Sequence, residues 1–394
     1  MVCGRHYVRR CYRCGHTESF PLPPLKKKII YLDQFAVSNM MKAINPVTDA
    51  HRKGVFAKGT IEERWVRLFE KLDRLSKMQL IVCPYAEYHE KESMPDRHFQ
   101  SLKRMYEQLS GTIHFRDATE IRSSQVYAAA ICWIRGKPIE LDFEPQRVVY
   151  GKLDEWGDTI LVTIKRKVTD DQVKRLTNFR EQVHETMKQI FTGWKLNPRR
   201  KLDEYRKRHL QTFWHENLDQ YSSYGQRGLL DAAPANVKIV AGVCNIFRVE
   251  GIPDNQLPQK MVTFFLDPAV QAQVPYGGLS ALLFACLARE ATAPNSQMLC
   301  PNRGTYYDVE MIATLLPYCD AMFIENKWHE YLRQPSSVKL RSPFHAELFC
   351  PGKMDVFFAY LDDIERNANP SHIAQVAKVY GDIQPYLKLF GQSN

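Results

Sequence analysis

The sequence predicts an α/β fold: a parallel sheet flanked by helices, interrupted by a basic helical insertion and preceded by a small Cys/His zinc knuckle. Three observations carry that expectation. Short β-rich apolar runs (Ile29 to Leu32, Gln79 to Cys83, Ala321 to Ile324) alternate with amphipathic helical patterns, the signature of buried parallel strands joined by helices. Residues 164–210 hold fourteen Lys or Arg against six Asp or Glu in a helical pattern. Three of the ten cysteines crowd into the first fourteen residues. The chain has 394 residues, 44% hydrophobic and 25% charged, which excludes wholesale disorder. Its net charge of +10 favours a polyanionic partner, nucleic acid before membrane. The longest apolar run, Leu279 to Ala288, falls far short of the roughly 18 residues of a bilayer span, so no membrane partner is expected.

Residues 1–25 open with Cys3-x2-His6 and Cys11-x2-Cys14-x-His16. Zinc takes four soft or borderline ligands, and a C-x2-C turn supplies two, so four of these five residues are candidate Zn2+ ligands. A segment this short, with no core of its own, needs such a staple. The other seven cysteines stand singly in apolar company, as buried free thiols do in a reducing compartment; a cytoplasmic location is expected. No apolar leader is visible at the N-terminus.

Residues 26–120 form the first part of the α/β domain. Ile29 to Leu32 reads as a buried strand ending at Asp33. Residues 61–76 place Ile61, Trp65, Leu68, Phe69, Leu72 and Leu75 on one helical stripe. Gln79 to Cys83 is a second strand stopped by Pro84, and the acidic segment AEYHEKES begins a helix. Residues 121–270 form the insertion, with a buried helix from Ser124 to Ile134 and basic helices over 170–194 and 202–221. Residues 271–366 return to α/β character: an apolar helix from Leu279 to Arg289, a helix opened by Asp308 and stopped at Pro317, a strand ending before Glu325, and a helix over 356–366. Residues 367–394 read as a last helix and a polar tail.

Acids thus fall at strand ends or on the helices that follow: Asp33, the Glu87/Glu90/Glu92 group, Asp308, Asp320 and Glu325. In an open parallel sheet the C-terminal strand ends share one crevice, where such folds carry their sites. Carboxylates gathered there repel one another unless they hold a cation, and Mg2+ or Mn2+ suits an all-oxygen environment. A metal so held activates water against a phosphodiester.

The order of these pieces resembles the PIN-domain nucleases. IIYLDQF matches the family's strand-ending Asp with Asp33, and IVCPYAEYHE its helical Glu with Glu90, Glu87 being second choice. YYDVEMIATLLPYCDAMFIEN is similar to the family's ending, which carries the third acid onto Asp308 and the fourth onto Glu325, with Asp320 as an auxiliary candidate. The sequence departs from the pattern at Ile324, where Thr or Ser is usual, and at Glu325, where Asp is commoner, which leaves the number of metals open. The resemblance covers residues 26–110 and 275–366. It implies a metal-dependent endoribonuclease, as in toxins, defence effectors and RNA-processing enzymes. Asp33, Glu90, Asp308 and Glu325 would be catalytic, and Asp33, Asp308 and Glu325 would hold Mg2+ or Mn2+. Arg199, Arg200, Lys201, Arg206, Lys207 and Arg208 would then grip RNA through its phosphates, with aromatic residues stacking on unpaired bases.

The rival readings are fewer. No Arg stands five residues before any His, no G-x-S-x-G or G-x4-G-K-[ST] occurs, and His89-Glu90 fails the zinc-protease pattern at Ser93. A non-catalytic nucleic-acid-binding or interaction scaffold of the same fold is the alternative, and DNA the alternative substrate. A homo-oligomer or an inhibitory partner stays open.

Overall fold

The computed structural model describes residues 2–48, 61–157, 169–199, 201–229, 234–294, 296, 298, 300–384 and 389–390. The chain begins with β1 (Val2–Cys3), β2 (His6–Arg10) and β3 (Thr17–Pro21), an antiparallel three-stranded sheet. Then come β4 (Lys28–Leu32), α1 (Gln34–Ile44), α2 (Ile61–Lys77), β5 (Ile81–Val82), α3 (Glu87–Ser93), α4 (Phe99–Ser110) and β6 (His114–Phe115). Next are α5 (Ala118–Ile134), β7 (Val149–Tyr150), α6 (Asp170–Leu196), α7 (Leu202–Gln226), α8 (Ala235–Val249), α9 (Leu257–Leu266) and α10 (Pro268–Gln273). The last part holds α11 (Pro275–Ala291), α12 (Thr305–Leu315), β8 (Ala321–Phe323), α13 (Asn326–Leu332), α14 (Pro335–Arg341), β9 (Glu347–Phe349), α15 (Met354–Arg366) and α16 (Pro370–Tyr380).

The central sheet has the order β5-β4-β8-β9, all parallel. A parallel bridge from Tyr85 to His114 carries the order outward to β6, whose other neighbour is the antiparallel β7. The chain moves from β4 to β5 on one side and later returns to place β8 on the other. The strand order therefore reverses at β4, and the C-terminal ends of β4 and β8 flank the crevice where a parallel sheet takes its ligands.

Alternation along β4 divides the core. Ile29 and Tyr31 face a cluster with Leu279, Leu283, Val309, Ile312 and Trp328, whereas Ile30 and Leu32 face one with Val37, Leu68, Phe69 and Phe357. The sheet is thus covered by helices on both faces. On α2, Trp65, Leu68, Phe69, Leu72 and Leu75 are buried as the stripe predicted, and each such side chain contributes about 1.5–3 kcal/mol of burial. Ile61's side chain lies outside the described set. Glu62 and Glu63 in the first turn and Arg74 and Lys77 in the last complement the helix dipole.

The insertion is helical, but it is no detached arm. Val126, Val243, Phe247, Phe264 and Phe265 make a small core of their own, while Met187 and Phe191 of α6 enter the main core beside the sheet. A capping box between Thr169 and Gln172 starts α6, which runs 27 residues. No helix among the described residues is long and apolar enough to cross a membrane.

The single four-ligand knuckle expected at the N-terminus is not what forms. Cys3 pairs with His6 across the β1–β2 turn, and β2 then runs extended from His6 to Arg10. Five extended residues put Cys11 about 16 Å from His6. Cys11 and Cys14 are exposed at the other end, in a turn closed by Cys11 N–H to His16 C=O at 2.8 Å and by Gly15, at φ 72°, donating to Cys11 C=O at 2.9 Å. Strand pairing ties the segment together; the Cys3 side chain lies outside the described set.

Candidate active site

Asp33 ends β4 and is 8% exposed. Its N–H donates to Phe323 C=O at 3.0 Å, which ties it to the end of β8, and its Oδ1 accepts the Gln34 N–H at 2.6 Å as the cap of α1. Glu325 stands two residues beyond β8 at the start of α13, and its side chain makes no capping bond there. Asp308 lies in the first turn of α12, which begins at Thr305, three residues earlier than the sequence suggested. Its Oδ2 accepts Trp328 Nε1–H at 3.1 Å.

The fourth carboxylate is Glu92, on α3. Burial, then the charges of Glu92 and Glu325, push Asp33 up to about 8. Burial, then Asp308 and more weakly Glu325, push Glu92 up to about 8, against the pull of Arg180. Burial and the charges of Asp33 and Glu325 hold Asp308 well above the usual carboxylate range, opposed by Trp328 and Lys327. Each of these acids therefore senses others across the crevice. Tyr31, buried on β4, senses Asp33, Glu92 and Asp308 together.

The other candidates lie elsewhere. Glu90 lines a separate hollow with Tyr85, Phe99, Lys103, Tyr106 and Glu107. Two residues of α-helix rotate a side chain by about 200°, so Glu90 and Glu92 point to opposite sides of α3. The resemblance pointed to Glu90, whereas the acid influenced by Asp308 and Glu325 is Glu92, one turn after Tyr88, whose ring lies 5.6 Å from that of Tyr307. Glu87 pairs with Lys91 at 2.6 Å and shares a hydrogen bond with Asp117. Asp320 sits at the opposite end of the strands, accepting Ile29 N–H at 2.8 Å and pairing with Lys28 at 2.7 Å, a structural tie. Arg199, Lys201, Lys207 and Arg208 are exposed and Arg206 partly buried around the start of α7; Arg200 lies outside the described residues.

The helices that carry the acids are held by a buried network. Arg122 of α5 pairs with Glu310 at 2.5 Å, donates to Thr314 Oγ1 at 3.1 Å and Tyr88 OH at 3.2 Å, and lies 4.3 Å from the centre of the Tyr276 ring. Tyr276 OH donates to Glu310 at 2.7 Å. Arg122 thereby links α12, two residues past Asp308, to α3, one turn before Glu92. On β4's inner face, His89 stacks between Tyr31 at 5.3 Å and Tyr106 at 5.0 Å, and burial lowers it to about 4, so it is neutral packing.

Four carboxylates offer oxygen donors only, a set that suits Mg2+ or Mn2+. Buried acids without a matching cation keep their protons instead, which is the state the raised values describe. Among the described residues, no three His, Cys, Asp or Glu side chains stand close enough to enclose a metal ion. The acids act on one another electrostatically but as they stand do not close into a ligand set. Neither known protein families, nor curated proteins, nor solved structures include a match to this chain.

Proposed function

We propose that the chain is a metal-dependent endoribonuclease of PIN-like fold, with Asp33, Glu92, Asp308 and Glu325 as its acidic site. One observation carries the reading: Asp33, Glu92, Asp308 and Glu325 lie within electrostatic reach of one another near the reversal point of a parallel sheet, and two are pushed up to about 8 by burial and neighbouring charge. Structural acids gain partners; these gain one another, an arrangement that becomes favourable when a divalent cation enters. Asp33, Asp308 and Glu325 would hold Mg2+ or Mn2+, with Glu92 beside them. The ion would polarise the phosphodiester and ease deprotonation of the attacking water.

The chain's own part is to position and to move protons. The Phe323 carbonyl fixes the Asp33 backbone, and the Trp328 indole fixes one Asp308 oxygen. A carboxyl that titrates near neutrality suits the acceptance of a proton from water and its return to the leaving oxygen; Glu92, beside the ligand set, is pushed up to about 8 and would take that role. The net charge of +10 supports a nucleic-acid substrate.

The experiment is cleavage of labelled RNA and DNA with Mg2+, Mn2+ or EDTA. Expected are RNA cleavage with either metal, none in EDTA, and a loss of at least about a hundredfold in Asp33→Asn. Cleavage that survives EDTA, or an equally fast Asp33→Asn, overturns the reading. A second reading, a nucleic-acid-binding scaffold, draws on the absence of a closed ligand set among the described residues. RNA binding without cleavage under every metal would favour it.

A further inference from the structure

Arg180 and Lys327 are the cations whose charge acts on the acids, and neither is among the six residues of 199–208 expected to grip RNA. Arg180 lies midway along α6, and that helix is pinned along the segment leading into α12. Arg303 pairs with Glu181 at 2.9 Å, His184 Nε2 faces Cys300 Sγ at 4.0 Å, and Lys195 Nζ donates to Met298 C=O at 2.7 Å. Met187 and Phe191 anchor the same helix in the main core. These ties hold α6 against the segment that leads into α12, with Arg180 one residue before Glu181, and the positive charge of Arg180 is felt at Glu92 and Tyr307. Lys327 comes from the other side, two residues past Glu325. Its ammonium lies 5.3 Å from the Trp328 ring centre and 5.9 Å from that of Tyr331, and it faces Asp308, Glu325 and Glu290. Trp328 is the residue that bonds Asp308, so the lysine and the acid share one support.

Charge arithmetic gives the pair a task. Counted with Glu290, which also acts on Lys327, five ionised carboxylates and these two cations leave three negative charges, so one divalent ion alone does not neutralise the site. A phosphodiester entering such a site adds a further negative charge on its non-bridging oxygens. The guanidinium of Arg180 offers planar paired donors, and Lys327 a compact point charge. We propose that Arg180 and Lys327 form a two-point clamp that holds the phosphate of a single-stranded RNA across the acids. The clamp rests on the nuclease reading given above. It makes α6, and not the 199–208 run, the part of the insertion that serves the site.

The test uses the full chain and a fluorescein-labelled single-stranded RNA. Binding is read by anisotropy in EDTA over a salt series, and cleavage by gel with Mn2+. Arg180→Gln and Lys327→Gln should each weaken binding about tenfold and lower the salt slope by about one, with Arg180→Lys recovering part of the loss. In cleavage, KM should rise by a similar factor while kcat changes by less than about threefold. Lys201→Gln should leave binding within about twofold. Circular dichroism and urea midpoints matched to wild type establish that the variants fold. Unchanged affinity and slope in both Gln variants overturn the clamp, even if the enzyme cleaves. Weakened binding in those variants, from a wild type that cleaves nothing under any metal, supports the clamp and defeats the nuclease reading alone. A wild type that neither binds nor cleaves RNA overturns both.

Discussion

Arg122 lies buried where α3, α5 and α12 meet, and Glu310→Gln tests what its charge costs when left alone. In the native chain the guanidinium touches Glu310 at 2.5 Å, Thr314 at 3.1 Å, Tyr88 at 3.2 Å and the face of Tyr276 at 4.3 Å. Both ionic side chains are almost wholly enclosed, at 6% and 3% exposure, so water cannot replace a lost partner. Removing one charge of such a pair costs about 3–5 kcal/mol, because the other stays desolvated. With a urea slope of about 3 kcal/mol/M, the unfolding midpoint should fall by about 1–1.7 M. Replacing both Arg122 and Glu310 by Met removes the stranded charge and should recover most of that loss. The hydroxyls of Tyr88 and Tyr276 then lack partners, so recovery stops about 1–2 kcal/mol short. The double-mutant cycle should yield a coupling of at least about 2 kcal/mol. A Glu310→Gln cost below about 1 kcal/mol, or strict additivity, would refute the claim that this pair ties the acid-bearing helices together.

Three further outcomes are expected. Asp33 and Glu92 keep their protons in the folded chain up to about pH 8, while the unfolded chain releases them near 4. The folded state is therefore the one that binds the extra protons, and in EDTA these groups lower stability as pH rises from about 4 through 8. Melting from pH 5.5 to 8.5 should show wild type falling more steeply than Asp33→Asn, with Mn2+ reducing the fall; parallel profiles would sink the argument. In calorimetric titration with Mn2+, Glu92→Gln should weaken binding about tenfold or more, and Glu90→Gln by less than about twofold; equal effects would return Glu90 to the site. Iodoacetamide should label Cys11 first, because the backbone N–H groups of Cys14 and Arg13 hold its thiol below the ordinary range, and should reach Cys83 and Cys319 only after denaturation. Mass spectrometry showing the buried pair labelled first would contradict this.

The parts of the fold that rest on local pattern could be read from residues alone. The stripe on α2, the strand runs that became β4, β5 and β8, and the helical character of 170–226 all depend on periodicity and punctuation. Asp33, Asp308 and Glu325 were findable because a strand end or a helix start marks them. Glu92 was not, since a two-residue difference along α3 turns the chosen acid to the opposite side of the helix, into the hollow beside Tyr106. The cysteine pattern misled for a related reason: spacing counts residues, but an extended β2 between His6 and Cys11 converts five residues into separation. The charge of the insertion was plain, yet only the docking of α6 on the 298–304 segment brings the Arg180 stretch of it close to the start of α12.

The edge that β4 shares with β8 joins partners 291 residues apart. At ordinary rates of synthesis, roughly 15 to 60 seconds pass between the emergence of the two strands from a ribosome. For most of that interval Asp33 is outside the ribosome while Asp308 and Glu325 are not. A half-made chain of this kind holds Asp33 without its companion acids, so under the proposed function cleavage would wait for the last third of the chain.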